Sequence, residues 1–297
     1  MDIKEYLKDH IVLLDGSMGT MLQRSGLKPG EGTEEWNLTH PEDVKNVLKA
    51  YYDAGSNIVI MNTFGVNALK YKDEEKLKEL IFSAYEIADA ARKESTGSQE
   101  KFVAFNIGPL GAFLEPFGDL EYEDAREAFA KAVRIGAETG ADLIMIETMI
   151  DTEEARAAVT AAKENSSLPV FVSHTYNENG RILTGADPKT VVEEMQKCGA
   201  DAVGVNCSYG PKMLGKIAEE YLKYASVPVY FKPNAGLPAE KDGQLIYDVD
   251  AKEFAKDVAA MVKKGVRLAG GCCGTDPGFI RALKEITENM TGEPGLE

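Results

Sequence analysis

Apolar residues along this chain fall in short runs separated by segments of helical spacing, and the alternation continues to its end. Strands are predicted at Ile11–Asp15, Asn57–Thr63, Phe102–Ile107, Leu143–Thr148, Val170–Thr175, Ala202–Cys207, Val229–Pro233 and Leu268–Cys273. Each run is too short for a helix and carries Val, Ile, Leu or Phe at both parities, the pattern of a strand buried on both faces. Between them, Pro41–Ala54 sets Val44, Val47, Leu48 and Tyr51 on one helical face, and Tyr122–Gly140 does so with Ala125, Phe129, Ala132 and Val133. Asp151–Glu164, Asp187–Gly199, Pro211–Ala225, Asp250–Gly265 and Pro277–Asn289 read the same way. Several open on Asp or Pro and close near Gly, as helix ends do.

Strand followed by helix, repeated eight times, predicts a single-domain (β/α)8 TIM barrel over residues 1–290. A doubly wound open sheet would leave the count of eight without a reason. No internal domain boundary is visible. The long irregular stretches Gln23–His40, Gly108–Leu120 and Asn234–Tyr247 all follow strand C-termini, where a barrel builds its site. Residues 291–297 read as a tail that a cloning vector could have supplied, and the chain could be one module of a longer protein.

Charge and composition then narrow the function. The 33 Lys and Arg against 49 Asp and Glu give a formal net charge of −16 with no basic block, so no nucleic-acid partner is expected. No stretch approaches the roughly 18 apolar residues that cross a bilayer, and Met1–Tyr6 lacks the apolar run of a signal peptide. No membrane association is expected. Four cysteines, two of them adjacent, do not form a disulfide framework and fit a reducing cytoplasm.

In a barrel, chemistry collects where strands end. Those ends read Asp15, Asn62 and Thr63, Asn106, Glu147, His174 and Thr175, Asn206 and Cys207, Asn234, and Cys272 with Cys273. Their convergence makes a pocket of carboxylates, amides and thiols. Adjacent strand residues point to opposite faces, so Cys272 and Cys273 need the freedom of their flanking glycines to turn inward together. Strands six and eight are one strand apart, which lets Cys207 meet them. Three thiolates favour Zn²⁺ with a fourth position for substrate. The plainer alternative is buried cysteine acting as a small apolar residue, which is how Cys198 at a helix end reads. Zinc with three thiolates carries a net −1 and is a poor Lewis acid for hydrolysis. It can deprotonate an incoming thiol, which points to alkyl transfer onto sulfur.

Several segments carry a resemblance, in order and along essentially the whole chain. Asp15-Gly16-Ser17-Met18-Gly19-Thr20, Asn62-Thr63-Phe64, Gly108-Pro109, Glu147-Thr148, Val205-Asn206-Cys207 and Gly270-Gly271-Cys272-Cys273-Gly274-Thr275 resemble the homocysteine S-methyltransferase family. Pro233-Asn234-Ala235-Gly236-Leu237-Pro238, with Gly243 and Tyr247, is most similar to the homocysteine-binding module of cobalamin-dependent methionine synthase. The resemblance implies zinc on Cys207, Cys272 and Cys273, with Asn234 in the fourth site when homocysteine is absent. It implies Asp15 and Glu147 near the substrate ammonium. The turn at Gly16 and Ser17 would then lie by its carboxylate, and Thr63 and Asn106 would line the cavity.

The implied reaction is methylation of homocysteine to methionine. Methylcobalamin would be carried on a separate corrinoid domain or protein, since none of His10, His40 or His174 lies in an Asp-x-His-x-x-Gly motif. A standalone enzyme using betaine or an S-methyl sulfonium is the alternative, and betaine would call for an aromatic cage that Trp36 could join. From another class, the cysteines could form a non-catalytic or redox-sensing zinc-thiolate site. His174 reads equally as a structural histidine.

Overall fold

The computed structural model describes residues 2–28, 30–241, 244–288 and 290. Gly243 and residues 291–297 lie outside them. The strands are β1 (Val12–Leu13), β2 (Ile58–Ile60), β3 (Phe102–Ile107), β4 (Leu143–Met149), β5 (Val170–His174), β6 (Ala202–Asn206) and β7 (Val229–Lys232), then β8 (Pro238–Lys241), β9 (Gln244–Tyr247) and β10 (Leu268–Ala269). Eight of them form one parallel sheet in the order β1-β10-β7-β6-β5-β4-β3-β2. The ends of that order meet: Leu14 bridges Ile58, the Asn57 N–H donates to Leu13 O at 2.7 Å, and the Asn57 side chain accepts from the Leu13 N–H. The sheet is therefore a closed (β/α)8 barrel, as the alternation predicted.

Strand parity explains the continuous apolar runs. Val12, Leu14, Ile58, Ile60, Phe102, Ala104, Leu143, Met145, Phe171, Ala202, Tyr230 and Leu268 pack together inside the barrel. The intervening residues, such as Val59, Val103, Phe105, Ile144, Val172 and Val203, pack outward against the helices. Both faces are dry, which is why no strand alternates with polar residues. Ile3 and Leu7 join the interior cluster, so the first helix, Ile3–Asp9, closes the barrel floor.

The predicted helices are present within a few residues of their expected ends; Pro41–Ala54 matches at both. Four features differ from the sequence expectation. The segment between β2 and β3, given no helix above, holds the 21-residue helix Glu74–Glu94, whose apolar face (Leu77, Leu80, Ile81, Ala84, Ile87, Ala88, Ala91) is diluted by alanine among many charges. Gln23–His40, read as irregular, contains a 3-10 turn and a short helix at Trp36–Thr39, with the end of the helix Met18–Arg24 before them. Asn234–Tyr247 carries the antiparallel hairpin β8–β9. The last barrel strand ends at Ala269 rather than Cys273. Gly270 and Gly271 leave the sheet there, pressed so closely on β1 and Thr275 that a Cβ on Gly270 would stand 2.7 Å from Asp15 O. Among the described residues no helix is long and apolar enough to cross a membrane.

Candidate functional site

The strand C-termini open into a cavity of about 450 Å³. Its lining includes Asp15, Gly16, Ser17, Asn106, Glu147, Cys207, Lys232, Cys272 and Cys273. All but Lys232 were singled out in the sequence, and with Lys232 the nine come from six different strand ends.

One wall is sulfur. The ligand atoms of Cys207, Cys272 and Cys273 lie within 4.8 Å of one another, with Cys207 Sγ 3.8 Å from Cys273 Sγ, and no disulfide joins them. Sulfurs on a tetrahedral zinc, with Zn–S of about 2.3 Å, would lie about 3.8 Å apart, so the three side chains fit such an ion. The adjacent pair escapes strand alternation because it lies beyond β10, in a turn where the Thr275 N–H donates to Cys272 O. Of the flanking glycines only Gly274 has a left-handed φ, +81°. Gly270 and Gly271 are needed for close approach instead. On the facing loop, Cys207 and Ser208 themselves adopt left-handed φ of 59° and 63°, uncommon for residues with a Cβ. That strained turn aims Cys207 at the pair. At Cys207 a bond from Cys272 favours the thiolate, but contact with Cys273 and burial together outweigh it and push the thiol up to about 11.

Another part of the lining is ionic. Lys232, 3 % exposed at the end of β7, donates to Asp15 Oδ1 at 3.2 Å and Glu147 Oε1 at 3.1 Å. Asp15 Oδ2 accepts from the Ile60 N–H at 2.8 Å. Burial opposes the lysine charge, but Glu147 and Asp15 outweigh it and hold its pKa above the usual value. Burial also pushes the Asp15 carboxyl up to about 6, against the pull of Lys232. Lys232 was missed in the sequence, although it shares parity with inward-facing Tyr230 at the end of a buried run.

Asn206 ties the walls together: its Oδ1 accepts from the Thr148 N–H and the Ser173 hydroxyl, and its Nδ2 donates to Thr148 Oγ1 and lies 4.0 Å from Cys272 Sγ. A second tie runs through backbone, where the Gly271 N–H donates to Asp15 O at 2.9 Å. Gly16 has no room for a side chain, since a Cβ would meet Thr275 Oγ1 at 2.6 Å and the Tyr51 hydroxyl at 2.8 Å. The Ser17 hydroxyl caps the helix Met18–Arg24 by accepting from the Thr20 N–H.

The remaining sequence candidates fall outside the cavity lining. Thr63 is fully buried and donates to the Asn106 main-chain O at 2.8 Å; separately, the Asn106 side-chain Oδ1 has no partner among the described residues. Asn234 follows β7, buried, with its Oδ1 also unpartnered. His174 is fully buried on β5 with neither ring nitrogen bonded among the described residues, and burial lowers it to about 3. Trp36 stacks on His40 at 4.1 Å. Half-buried Cys198 closes the helix Pro188–Lys197, away from the other three thiols.

Comparison with known proteins meets this geometry. A family model described as homocysteine S-methyltransferase matches residues 12–287. Methionine synthases of Mycobacterium leprae (strain TN) and Mycobacterium tuberculosis (strain ATCC 25618 / H37Rv) are 31% and 30% identical to this chain over 95% and 97% of its length. The chain spans only 25% and 26% of those two proteins. The metallated form of the homocysteine methyltransferase MmuM from Escherichia coli matches with a TM-score of 0.79 at 25% identity, over 93% of this chain and 96% of that one. With a match that runs from the first barrel strand through the last helix, the chain belongs to the homocysteine S-methyltransferase family.

Proposed function

We propose that this chain transfers a methyl group to the thiol of homocysteine, forming methionine, with Zn²⁺ held by Cys207, Cys272 and Cys273. The observation that carries the proposal is one cavity lined by three converging thiols and two buried carboxylates. Asn234, whose Oδ1 is buried without a partner, is the protein's own candidate for a fourth ligand. Bound zinc would supply the acidity that takes a thiol of pKa ~8.5 to thiolate at neutral pH.

The chain's residues do the binding and aiming. Glu147 offers its carboxylate to the substrate ammonium, Asp15 adds negative charge beside it on the same lysine, and the backbone at Gly16 and Ser17 faces the substrate carboxylate. Asn106, fixed by Thr63, gives the wall a polar floor. The substrate sulfur is thereby held at the cysteine wall, facing the barrel mouth. Its proton leaves to solvent, the new sulfur–carbon bond forms as the donor–methyl bond breaks, and the donor keeps the bonding pair. Orientation and nucleophile activation carry the reaction rather than an acid–base pair.

The donor is methylcobalamin presented by a separate corrinoid domain or protein. Two observations support this: the chain spans about a quarter of its methionine synthase relatives, and exposed Phe113, Phe117, Leu183 and Leu237 stand on loops beyond the strand C-termini. Such apolar surface suits a macromolecular partner. An aromatic cage for betaine is less well supplied, because Trp36 is packed on His40 and Phe64 and Tyr247 are the aromatic residues in the lining. The test is a methyl-transfer assay on zinc-loaded protein with homocysteine and, in turn, methylcobalamin, betaine and S-methylmethionine. Turnover with methylcobalamin is expected, and failure with every donor overturns the proposal.

A further inference from the structure

A cation sits inside the cavity with no part in the activity derived above. Lys232 closes β7 with a side chain only 4% exposed, a costly place for a charge unless it is paired. Its ammonium has three N–H donors, and Asp15 Oδ1 and Glu147 Oε1 use two of them. Both Asp15 oxygens already accept a bond, Oδ2 from the Ile60 N–H. Glu147 Oε2 has no partner among the described residues, and Glu147 and Lys232 both line the cavity. One free donor on a cation therefore lies beside one free acceptor on an anion. Two carboxylates and one ammonium also sum to −1, leaving room for one further positive charge.

We propose that Lys232 is a specificity-determining residue that takes the α-carboxylate of the substrate while Glu147 Oε2 takes its α-ammonium. The inference rests on the homocysteine reading. The turn at Gly16 and Ser17 offers only the partial charges of backbone N–H groups; Lys232 supplies a full one. A thiol amine without a carboxylate leaves the lysine donor unanswered. A thiol acid without an amine leaves Glu147 unanswered. A zwitterion satisfies both, so the pocket selects amino-acid thiols over simpler ones of equal length.

The experiment is a binding titration of cobalt-loaded protein, read by thiolate-to-cobalt absorption, with L-homocysteine, 4-mercaptobutyrate and 3-mercaptopropylamine. Wild type should bind homocysteine about tenfold or more tightly than either fragment, the worth of one charge-assisted hydrogen bond. Lys232→Met should weaken homocysteine and 4-mercaptobutyrate by about tenfold and leave 3-mercaptopropylamine within about threefold. Because that variant strips Asp15 and Glu147 of their counter-ion and could fail to fold, Asp15→Asn/Lys232→Met is measured beside it. The double variant keeps Glu147 alone, at the same net −1, and should show the same discrimination. Equal weakening of all three ligands, tighter homocysteine binding by Lys232→Met, or undiminished 4-mercaptobutyrate binding by the double variant overturns the role of Lys232 alone. A wild-type protein whose metal takes up no thiol overturns the homocysteine reading, and this proposal with it.

Discussion

The two walls of the cavity are built by different means. Asp15, Glu147 and Lys232 sit at or beside the ends of barrel strands, where the ladder fixes the backbone and each charge is answered by a neighbour. The three cysteines lie just past strand ends, on turns held by left-handed backbone and by glycines that no larger residue could replace. The ionic wall pairs its charges among its own residues, with one Lys232 donor and Glu147 Oε2 left over. The sulfur wall brings three thiols together, and the nearby Lys232 charge is shared with Asp15 and Glu147.

Several measurements would break or sharpen this contrast. The largest effect is expected from Cys272→Ala or Cys273→Ser, which should lower zinc affinity beyond the ~10- to 100-fold typical of outer-shell changes, read as metal content after dialysis. Unchanged stoichiometry would remove that residue from the ligand set. Glu147→Gln should leave zinc content intact and raise the KM for homocysteine by roughly 30- to 100-fold, a loss of about 2–3 kcal/mol in a buried charge-assisted contact. A fall in metal content would show that the walls are not separable.

Gly16→Ala should cost about 1–3 kcal/mol of stability in a denaturant titration, because its Cβ meets Thr275 and Tyr51. The smallest effect concerns His174, on the strand between Glu147 and Cys207. Its pKa is lowered by burial from 6.5 to about 3, so its contribution is fully present above pH 6.5 and is lost as pH falls toward 3. His174→Leu should gain on wild type by about 2 kcal/mol between pH 6.5 and pH 5. Parallel pH profiles of the two proteins would refute this. The comparison must be between variants, because Glu154, pushed up by burial to about 7, stabilises in the opposite sense as pH falls.

The barrel was legible because its signal is collective. Eight apolar runs at both parities admit few architectures, and Phe102–Ile107 even fell at its predicted bounds. The helix Glu74–Glu94 was overlooked because a face made partly of alanine carries little contrast. At the site, Cys207 and the adjacent pair stood out as ligand types at strand ends. What the sequence concealed was how the pair faces one way, since strand termination at Ala269 depends on Gly270 packing against β1, a contact between residues over 250 positions apart. Lys232 was hidden for a related reason. Lysine is read as surface by default, and only the meeting of β7 with Asp15 and Glu147 makes it an interior charge.

The bond from the Gly271 N–H to Asp15 O joins the residue preceding Cys272 to the carboxylate wall through main chain alone. A displacement of the sulfur-bearing turn must therefore pull on the strand that anchors the acid–lysine cluster. Under the proposed function, whatever metal binding does to amino-acid affinity through that bond, the amino acid does equally to metal affinity.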